Sequence, residues 1–257
     1  EAHRKSDDKH VAIKTMITKE IDFNSSKSLL RELQLLAGID HPKCLQLVAF
    51  TLTPEVKIAT PFMGNGTLND ALSKITSGKP DPKFTPTKKM CTLYGICSTM
   101  QYLHESSIIH RDFKPLNVFL DDNFDICIAD FGLSRKVDEN VYLTLNNIGS
   151  PLYMAPELFT DEYETYTNSI DVYAFGSSYM QYFTKLDTLN DKKGRIKSSQ
   201  NLMLRISNGA RFVQPKTMND DQYLIYTNCT ERDPNSRPTF KDLCEEFEKN
   251  EKVWFEG

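Results

Sequence analysis

Several features are missing from this sequence, and each absence excludes a class of protein. No run of about 18 apolar residues occurs in the 257 residues, so the sequence predicts no membrane-spanning helix. Positive charge is not in excess, because the sequence has 31 Lys and Arg residues and 35 Asp and Glu residues. The resulting net charge of -4 gives no positive electrostatic field that would attract a nucleic acid. Gly and Pro, 11 and 12 residues, are too few for a low-complexity chain. With 39% hydrophobic and 26% charged residues, the composition is that of a globular protein.

The cysteines lack the pattern of a disulfide framework or a metal site. No Cys-x-x-Cys pair occurs among the six cysteines, which are Cys44, Cys91, Cys97, Cys127, Cys229 and Cys244. Six cysteines permit three disulfides, but a domain of this size does not need them, so free thiols are favoured. The sequence begins at Glu1 with neither an initiator Met nor a signal peptide. We therefore expect a piece of a longer chain in a reducing, cytoplasmic compartment.

The first part of the chain reads as strands around one helix. Residues 9–17 are rich in β-branched side chains and predict a strand, as do residues 56–60. Between them, Ser25 can cap a helix that Gly38 can end in the left-handed conformation. Apolar residues at helical spacing support that helix, namely Leu29, Leu30, Leu33 and Leu36.

Beyond residues 60–67, where a flexible break predicts a boundary, the pattern becomes helical. Thr85 and Pro86 form an N-cap and first-turn pair for a long helix with an apolar stripe. Residues 73–85 and 190–200 are polar and predict connecting loops.

Three motifs follow one another at spacings that chance rarely produces: His110-Arg111-Asp112-Phe113-Lys114-Pro115-Leu116-Asn117, Asp130-Phe131-Gly132 and Ala155-Pro156-Glu157. Upstream of them stands Val11-Ala12-Ile13-Lys14. Together they resemble a eukaryotic-type protein kinase catalytic domain over essentially the whole chain.

This resemblance implies an α+β, bilobal protein kinase fold. Residues 1–63 would form a small β-rich N-lobe, and residues 64–257 a larger helical C-lobe with the catalytic loop and the activation segment. The N-lobe would lack the family's glycine-rich loop, because the sequence begins at about the strand that would follow it.

The resemblance also assigns the catalytic roles. Asp112 would be the base or orienter of the substrate hydroxyl, and Lys114 would stabilise the transferring phosphate. Lys14 would hold the α- and β-phosphates of ATP and pair with Glu32. Taken alone, Lys14 could equally be a solvated surface lysine.

Magnesium and adenine contacts are implied by the same resemblance. Asn117 and Asp130 would supply oxygen ligands for Mg²⁺, although each could instead be a turn or capping residue. The nearby acids Asp121 and Asp122 stand beside Asn123, which is typical of a hairpin turn rather than a metal site.

The adenine pocket would lie at the boundary near residue 60. Thr60 occupies the gatekeeper position, and Pro61 and Met63 follow it. The family uses only the carbonyl at the position of Pro61, so the missing N–H does no harm. Phe119 replaces the usual leucine of the pocket floor and would narrow the pocket.

Other matching positions are expected to be structural. His110 would stack with Phe131 and Leu36 in the core rather than act in catalysis. Asp171, from a central helix, would cap the backbone of the catalytic loop.

Glu157 and Arg237 would form a buried ion pair. Asp171-Val172-Tyr173 and the run Asp233-Pro234-Asn235-Ser236-Arg237-Pro238 favour the tyrosine-kinase-like branch. Cys229-Thr230, where that branch usually has Cys-Trp, is a departure from it.

Two positions resemble serine/threonine rather than tyrosine kinases: Lys114-Pro115, and Ser150 before the substrate-binding loop, although Ser150 could be a loop serine without a partner. We therefore expect a protein serine/threonine kinase that uses ATP and Mg²⁺ on protein substrates, with an upstream activating kinase as a further partner. The alternatives are a pseudokinase acting as a scaffold or allosteric partner, and a peptide-binding module. The complete catalytic set favours the enzyme.

The resemblance also implies a regulatory phosphorylation site. Arg111 and Arg135 match two basic positions that bind a phosphorylated residue of the activation segment. Thr144 is the candidate for that phosphate, with Tyr142 and Ser134 as rivals. The alternative is an unmodified surface threonine.

Overall fold

An antiparallel sheet forms the N-terminal part of the protein. The computed structural model describes residues 2–4, 9–15, 33–53, 55–136, 151–159, 166–184, 190–191, 194–195, 199–250 and 254. The sheet has the order β1-β2-β4-β3, with the bounds Ala2–Arg4 for β1, Lys9–Thr15 for β2, Ala49–Thr51 for β3 and Lys57–Pro61 for β4. The strand predicted at residues 9–17 coincides with β2 over the described residues, and the strand predicted at residues 56–60 is β4, shifted by one residue.

The helix predicted between these strands is described only over residues 33–38, here called α1. Leu33 in α1 packs with Val56 and Ile58 in a small apolar cluster below the sheet. The helix ends at Gly38 as predicted, but the left-handed conformation predicted for Gly38 is wrong, because Gly38 is helical and has no left-handed φ. Helical hydrogen bonding continues past it, since the Ile39 N–H donates to the Leu35 carbonyl at 3.0 Å. Ser25 and Glu32 lie outside the described residues.

The connection after β4 is more regular than the sequence suggested. Helix α2, Leu68–Thr76, begins with a reciprocal capping box between Thr67 and Asp70. The loop predicted from residue 73 therefore begins only after Thr76. Gly66 before this cap has φ 71°, a conformation that glycine adopts without steric cost.

Helices dominate the rest of the described chain. Their bounds are Pro86–Glu105 for α3, Ser169–Tyr179 for α4, Ser199–Ser207 for α5, Asp220–Cys229 for α6 and Phe240–Lys249 for α7. Thr85 caps α3 as predicted, because its side chain accepts the Lys88 N–H at 3.2 Å. All 11 residues of α4 are buried, which makes α4 the central helix of the core.

The second predicted loop is partly wrong. Residues 190–200 include two short paired strands, and α5 already begins at Ser199. The two strands are Asn190–Asp191, numbered β9, and Gly194–Arg195, numbered β10.

Four short strands lie between α3 and α4 in the sequence. They are Ile108–Ile109 (β5), Val118–Leu120 (β6), Ile126–Ile128 (β7) and Arg135–Lys136 (β8). β5 pairs with β8 and β6 pairs with β7. Asp121 makes the predicted hairpin turn, since its Oδ1 accepts the Asn123 and Asp125 N–H groups at 2.8 Å. A sheet in the N-terminal part and helices in the C-terminal part give the expected α+β, bilobal fold.

The cysteines are free thiols, as the sequence predicted, and all but Cys91 are buried. Burial raises the pKa of Cys44 and of Cys127 to about 12, so neither thiol ionises near neutral pH. Among the described residues, no helix combines the length and the apolar character needed to cross a bilayer.

Candidate active site

The catalytic loop places an acid, a lysine and an amide in mutual contact. The Lys114 ammonium donates to Oδ2 of Asp112 at 2.6 Å. Asn117 Nδ2 donates to the Asp112 carbonyl at 2.8 Å and to Asp112 Oδ2 at 3.1 Å. The side chains of Asp112 and Lys114 are 9% and 15% exposed, so their ion pair is shielded from bulk solvent. The structure thus holds one oxygen of the Asp112 carboxylate with two donors.

Asn117 and Asp130 lie at adjoining ends of the β6–β7 hairpin. Asn117 ends the 3-10 turn Pro115–Asn117 that leads into β6, and its carbonyl accepts the Ala129 N–H at 2.9 Å. Asp130 follows Ala129, is exposed and has a left-handed φ of 64°. Because Asn117 Nδ2 is engaged by Asp112, its Oδ1 is the atom left to act as an oxygen ligand.

This donor set fits Mg²⁺ but not a metal held by protein alone. Within the described residues, no group of three or more His, Cys, Asp or Glu side chains could hold a metal ion. Mg²⁺ commonly takes one or two protein oxygens and completes its shell with water and phosphate oxygens. An amide oxygen from Asn117 and a carboxylate from Asp130 match that requirement.

Asp171 on α4 anchors the backbone of the catalytic loop, as the sequence predicted. Its Oδ2 accepts the His110 N–H and its Oδ1 accepts the Arg111 N–H, both at 2.8 Å. Burial by itself would raise the pKa of Asp171, but the hydrogen bond and charge of His104, together with His110, outweigh burial and hold that pKa below its usual value. Asp171 is therefore an ionised acceptor inside the core.

His104 was missed by the sequence analysis. Its Nε2 lies 3.0 Å from Asp171 Oδ2. The only signal in the sequence is a polar residue near the end of the apolar stripe of α3, and that signal does not reveal a partner 67 residues away.

His110 is structural in the way expected. It is fully buried, its Nε2 lies 3.0 Å from the Ala129 carbonyl, and its ring is 5.3 Å from that of Phe131. Leu36 and Phe131 belong to one buried hydrophobic cluster. The imidazole therefore lies in the core, away from a reacting group.

The residues near the start of the activation segment are only partly described. Arg111 donates to the Leu133 carbonyl at 3.2 Å, and its guanidinium lies 5.2 Å from the ring centre of Tyr166. Arg135 pairs with Ile109 through the backbone of β8. The side chain of Arg135 lies outside the described residues, as do Tyr142, Thr144 and Ser150.

Ser134, a rival candidate for phosphorylation, is 1% exposed and its hydroxyl donates to the His110 carbonyl at 3.2 Å. A kinase cannot reach a hydroxyl buried in this way.

The expected adenine contacts lie on neighbouring strands. Thr60 and Pro61 in β4 are opposite Ala12 and Val11 in β2. The backbone continues with a hydrogen bond from the Phe62 N–H to the His10 carbonyl at 3.2 Å. Pro61 has no N–H to donate, but the N–H of the next residue supplies a hydrogen bond to β2.

The other expected nucleotide contacts are placed by backbone pairing. Lys14 is two residues beyond Ala12 on β2, so both side chains leave the same face of the strand. Phe119 in β6 bridges to Thr67, and Met63 accepts the Gly66 N–H at 3.2 Å. The predicted partner of Lys14, Glu32, lies outside the described residues.

Glu157 and Arg237 form the predicted buried ion pair. The guanidinium binds both carboxylate oxygens, at 2.6 and 2.7 Å, and the two side chains are 1% and 0% exposed. Arg237 also donates to the Ser169 carbonyl at the start of α4, at 3.1 Å. The pair thus links two distant segments to the central helix.

Comparison with known proteins identifies similar chains. A family model described as protein tyrosine and serine/threonine kinase matches residues 1–247. A protein of Acanthamoeba polyphaga mimivirus described as a serine/threonine-protein kinase/receptor is 31% identical over 91% of this chain, and a probable serine/threonine-protein kinase of Dictyostelium discoideum is 32% identical over 91%. A tyrosine-protein kinase receptor of Danio rerio is 30% identical over 93%. The chain spans 13%, 24% and 28% of the lengths of these three relatives, respectively.

Proposed function

Because the chain belongs to the protein tyrosine and serine/threonine kinase family, we propose that it transfers the γ-phosphoryl group of ATP to serine or threonine hydroxyls of other proteins. The observation that supports this proposal is the hydrogen bonding of Lys114 and Asn117 to Asp112, with donor–acceptor distances of 2.6 to 3.1 Å. A scaffold protein would not need this set, whereas phosphoryl transfer requires an oriented hydroxyl and compensated charge.

Asp112 orients the attacking hydroxyl in this proposal. Lys114 and Asn117 both bind its Oδ2, and Oδ1 accepts no hydrogen bond within the described part of the chain. Oδ1 can therefore accept the proton of a serine or threonine hydroxyl. The hydroxyl oxygen forms a bond to the γ-phosphorus as the bond to the ADP oxygen breaks, and Lys114 stabilises the transferring group.

Nucleotide and metal would be held between the residue ranges 1–63 and 64–257. Asn117 and Asp130 would hold Mg²⁺, which supplies positive charge against the phosphate oxygens. Lys14 would bind the α- and β-phosphates with Glu32 as its partner, while Thr60, Pro61, Met63 and Phe119 would line the adenine pocket. The 3-10 turns Pro115–Asn117 and Phe131–Leu133, which lie at Asn117 and directly after Asp130, support this arrangement by fixing the backbone of both ligands.

The choice of serine and threonine over tyrosine rests on Lys114-Pro115 and on Ser150, which would bond to Asp112 and Lys114. We expect phosphoamino-acid analysis of a protein substrate, after reaction of the full-length protein with labelled ATP and Mg²⁺, to give phosphoserine and phosphothreonine. Omission of Mg²⁺ should remove the signal, because the phosphate charge is then uncompensated. Mainly phosphotyrosine in the product would contradict the proposed specificity.

A phosphate on Thr144 is the proposed activating modification. Arg111 and Arg135 would bind it, because a phosphate brings about -1.5 to -2 charge and accepts charge-assisted hydrogen bonds from guanidinium groups. We expect Thr144→Ala to prevent the rise in peptide phosphorylation that follows incubation with ATP and Mg²⁺ or with an activating kinase. Ser134→Ala is not a comparable control because Ser134 is buried, so Tyr142→Phe serves instead and should leave the rise intact.

Mass spectrometry of the same samples identifies the modified residue. Absence of phosphate on Thr144 in the activated protein, or an alanine variant as active as phosphorylated wild type, would place the switch elsewhere.

A further inference from the structure

Two histidines lie opposite each other on the first two strands of the N-terminal sheet. His3 in β1 is the direct partner of His10 in β2, and their ring centres are 4.1 Å apart with the ring planes inclined by 56°. Both residues are exposed. Neither side chain is assigned to ATP, Mg²⁺ or the protein substrate. The pair is therefore a feature that phosphoryl transfer does not account for.

The backbone hydrogen bonds of the sheet bring these two side chains close together. The His10 carbonyl accepts the Phe62 N–H at 3.2 Å, so the backbone polar groups of His10 point toward β4 and away from β1. His3 and His10 consequently form a non-hydrogen-bonded pair of the antiparallel β1–β2 ladder. Side chains approach each other more closely at such a pair than at a hydrogen-bonded pair. The short distance between the two rings thus follows from the register of the strands.

The cationic residues next to the histidines leave the other face of the sheet. Arg4 pairs with Lys9, and each is adjacent in sequence to one of the two histidines. Because successive side chains of a strand alternate between faces, Arg4 and Lys9 point away from the histidine pair. Lys14 shares the face of His10 but is four residues along β2, about 13 Å away. Within the described strands β1 and β2, no cationic side chain therefore lies against the two rings.

Two imidazoles in this arrangement can chelate a transition-metal ion. Each imidazole offers one ring nitrogen, and Zn²⁺ binds histidine nitrogen at about 2.0 to 2.1 Å. Two nitrogens around one tetrahedral ion are then roughly 3.3 Å apart, a separation that side-chain rotation gives to rings centred 4.1 Å apart. Imidazole suits zinc, copper and nickel, whereas Mg²⁺ prefers oxygen ligands. The histidine pair and the pair Asn117 and Asp130 thus select different metals.

We propose that His3 and His10 together bind one divalent transition-metal ion that prefers nitrogen ligands, such as Zn²⁺, with water completing the coordination shell. The ion joins β1, the edge strand of the described sheet, to β2 at the residue whose carbonyl is bonded to Phe62. Two protein ligands agree with the finding that the described residues contain no group of three or more metal-binding side chains. This site is independent of the proposed phosphoryl transfer.

Zinc titration of the nucleotide-free protein tests the proposal. The wild type is compared with His3→Gln and His10→Gln by competition with a zinc-chelating dye, after circular dichroism has shown that the variants are folded. Each substitution should weaken Zn²⁺ binding on the order of 10- to 100-fold, because loss of a ligand costs at least as much as loss of a group that supports one. Millimolar Mg²⁺ should not displace the bound Zn²⁺.

Two controls separate the histidine pair from other metal-binding groups. The exchange of neighbours, His3→Arg with Arg4→His, keeps the composition but moves the imidazole to the opposite face, so this variant should bind Zn²⁺ as weakly as His3→Gln. His41→Gln removes a histidine whose ring stacks on Tyr102 at 4.8 Å, and it should bind Zn²⁺ like wild type. All variants keep the six cysteines, so any binding to thiols is common to them.

Nuclear magnetic resonance of the histidine side chains identifies the ligands directly. The chain has five histidines, so single substitutions can assign their ring signals. Zn²⁺ should shift the ring signals of His3 and His10 and leave those of His41, His104 and His110 in place. Absence of zinc binding in wild type, equal affinity in both glutamine variants, or retained binding in the exchanged variant would overturn the proposal. None of these measurements depends on turnover, so a protein without kinase activity gives the same answer.

Discussion

Asp112→Asn is expected to lower the phosphorylation rate on the order of 100- to 10,000-fold while leaving ATP binding close to that of wild type. The amide keeps the shape of the carboxylate but cannot take the proton of the attacking hydroxyl. It also loses the charge that pairs with Lys114 at 2.6 Å. Both proposed metal ligands, Asn117 and Asp130, remain in this variant, so Mg²⁺ and ATP should still bind.

Two measurements check this expectation: peptide phosphorylation at saturating substrate, and titration with a fluorescent ATP analogue. The matched control is Asp122→Asn, which removes a carboxylate from the exposed turn between β6 and β7 and should leave the rate unchanged. Wild-type turnover in Asp112→Asn would show that the acid is not part of the chemistry. Loss of ATP binding together with the rate would assign Asp112 to the nucleotide site instead.

Glu157→Ala is expected to lower the free energy of unfolding by about 3 to 5 kcal/mol. The substitution leaves the Arg237 guanidinium buried without its carboxylate, and a buried unpaired charge costs far more than the loss of an exposed ion pair. The bonds from Arg237 to the Ser169 and Glu231 carbonyls, at 3.1 and 2.8 Å, satisfy the donors but do not neutralise the charge. Denaturation by urea, followed by circular dichroism, measures the difference.

The control for this prediction is an exposed ion pair of the same chemistry. Arg211 and Glu231 lie 2.8 Å apart with side chains 32% and 38% exposed. Glu231→Ala should therefore cost about 0 to 1 kcal/mol. Equal losses for Glu157→Ala and Glu231→Ala would mean that burial does not set the strength of the Glu157 pair. Replacing Glu157 and Arg237 together by methionine should recover part of the loss, because no charge is then left unpaired.

Features that depend on a few consecutive residues could be predicted from the sequence. The Thr85 cap, the Asp121 turn and strands β2 and β4 all rest on hydrogen bonds or side-chain alternation within a short segment. The contact of Lys114 and Asn117 with Asp112 is equally local, since they follow it by two and five positions, but the sequence analysis predicted only their roles and not these hydrogen bonds. The capping box of Thr67 and Asp70 was equally readable, and it was missed because the glycines before it suggested only a flexible break.

Local patterns failed where the surroundings override them. A glycine at position 38 predicted a left-handed helix end, yet Gly38 keeps a helical conformation because the hydrogen bond from the Ile39 N–H to the Leu35 carbonyl extends the turn. Conversely, Arg111 is an ordinary residue in the sequence but takes a left-handed φ, because Asp171 from α4 binds its N–H. Nothing in the neighbouring residues of Arg111 encodes that strain.

By itself the sequence determined the family resemblance, the catalytic motif, strands β2 and β4 and the start of α3, because those depend on residue type and on spacing along the chain. The pairing of Glu157 with Arg237 across 80 residues was predicted only through the family resemblance, and only the tertiary structure decided that His104 meets Asp171 across 67. His104 and Asp171 meet because α3 and α4 contribute to one buried core, and burial makes each polar group within such a core require a partner. The packing of whole helices determines which partner a buried polar group contacts, and a short segment of sequence does not contain that information.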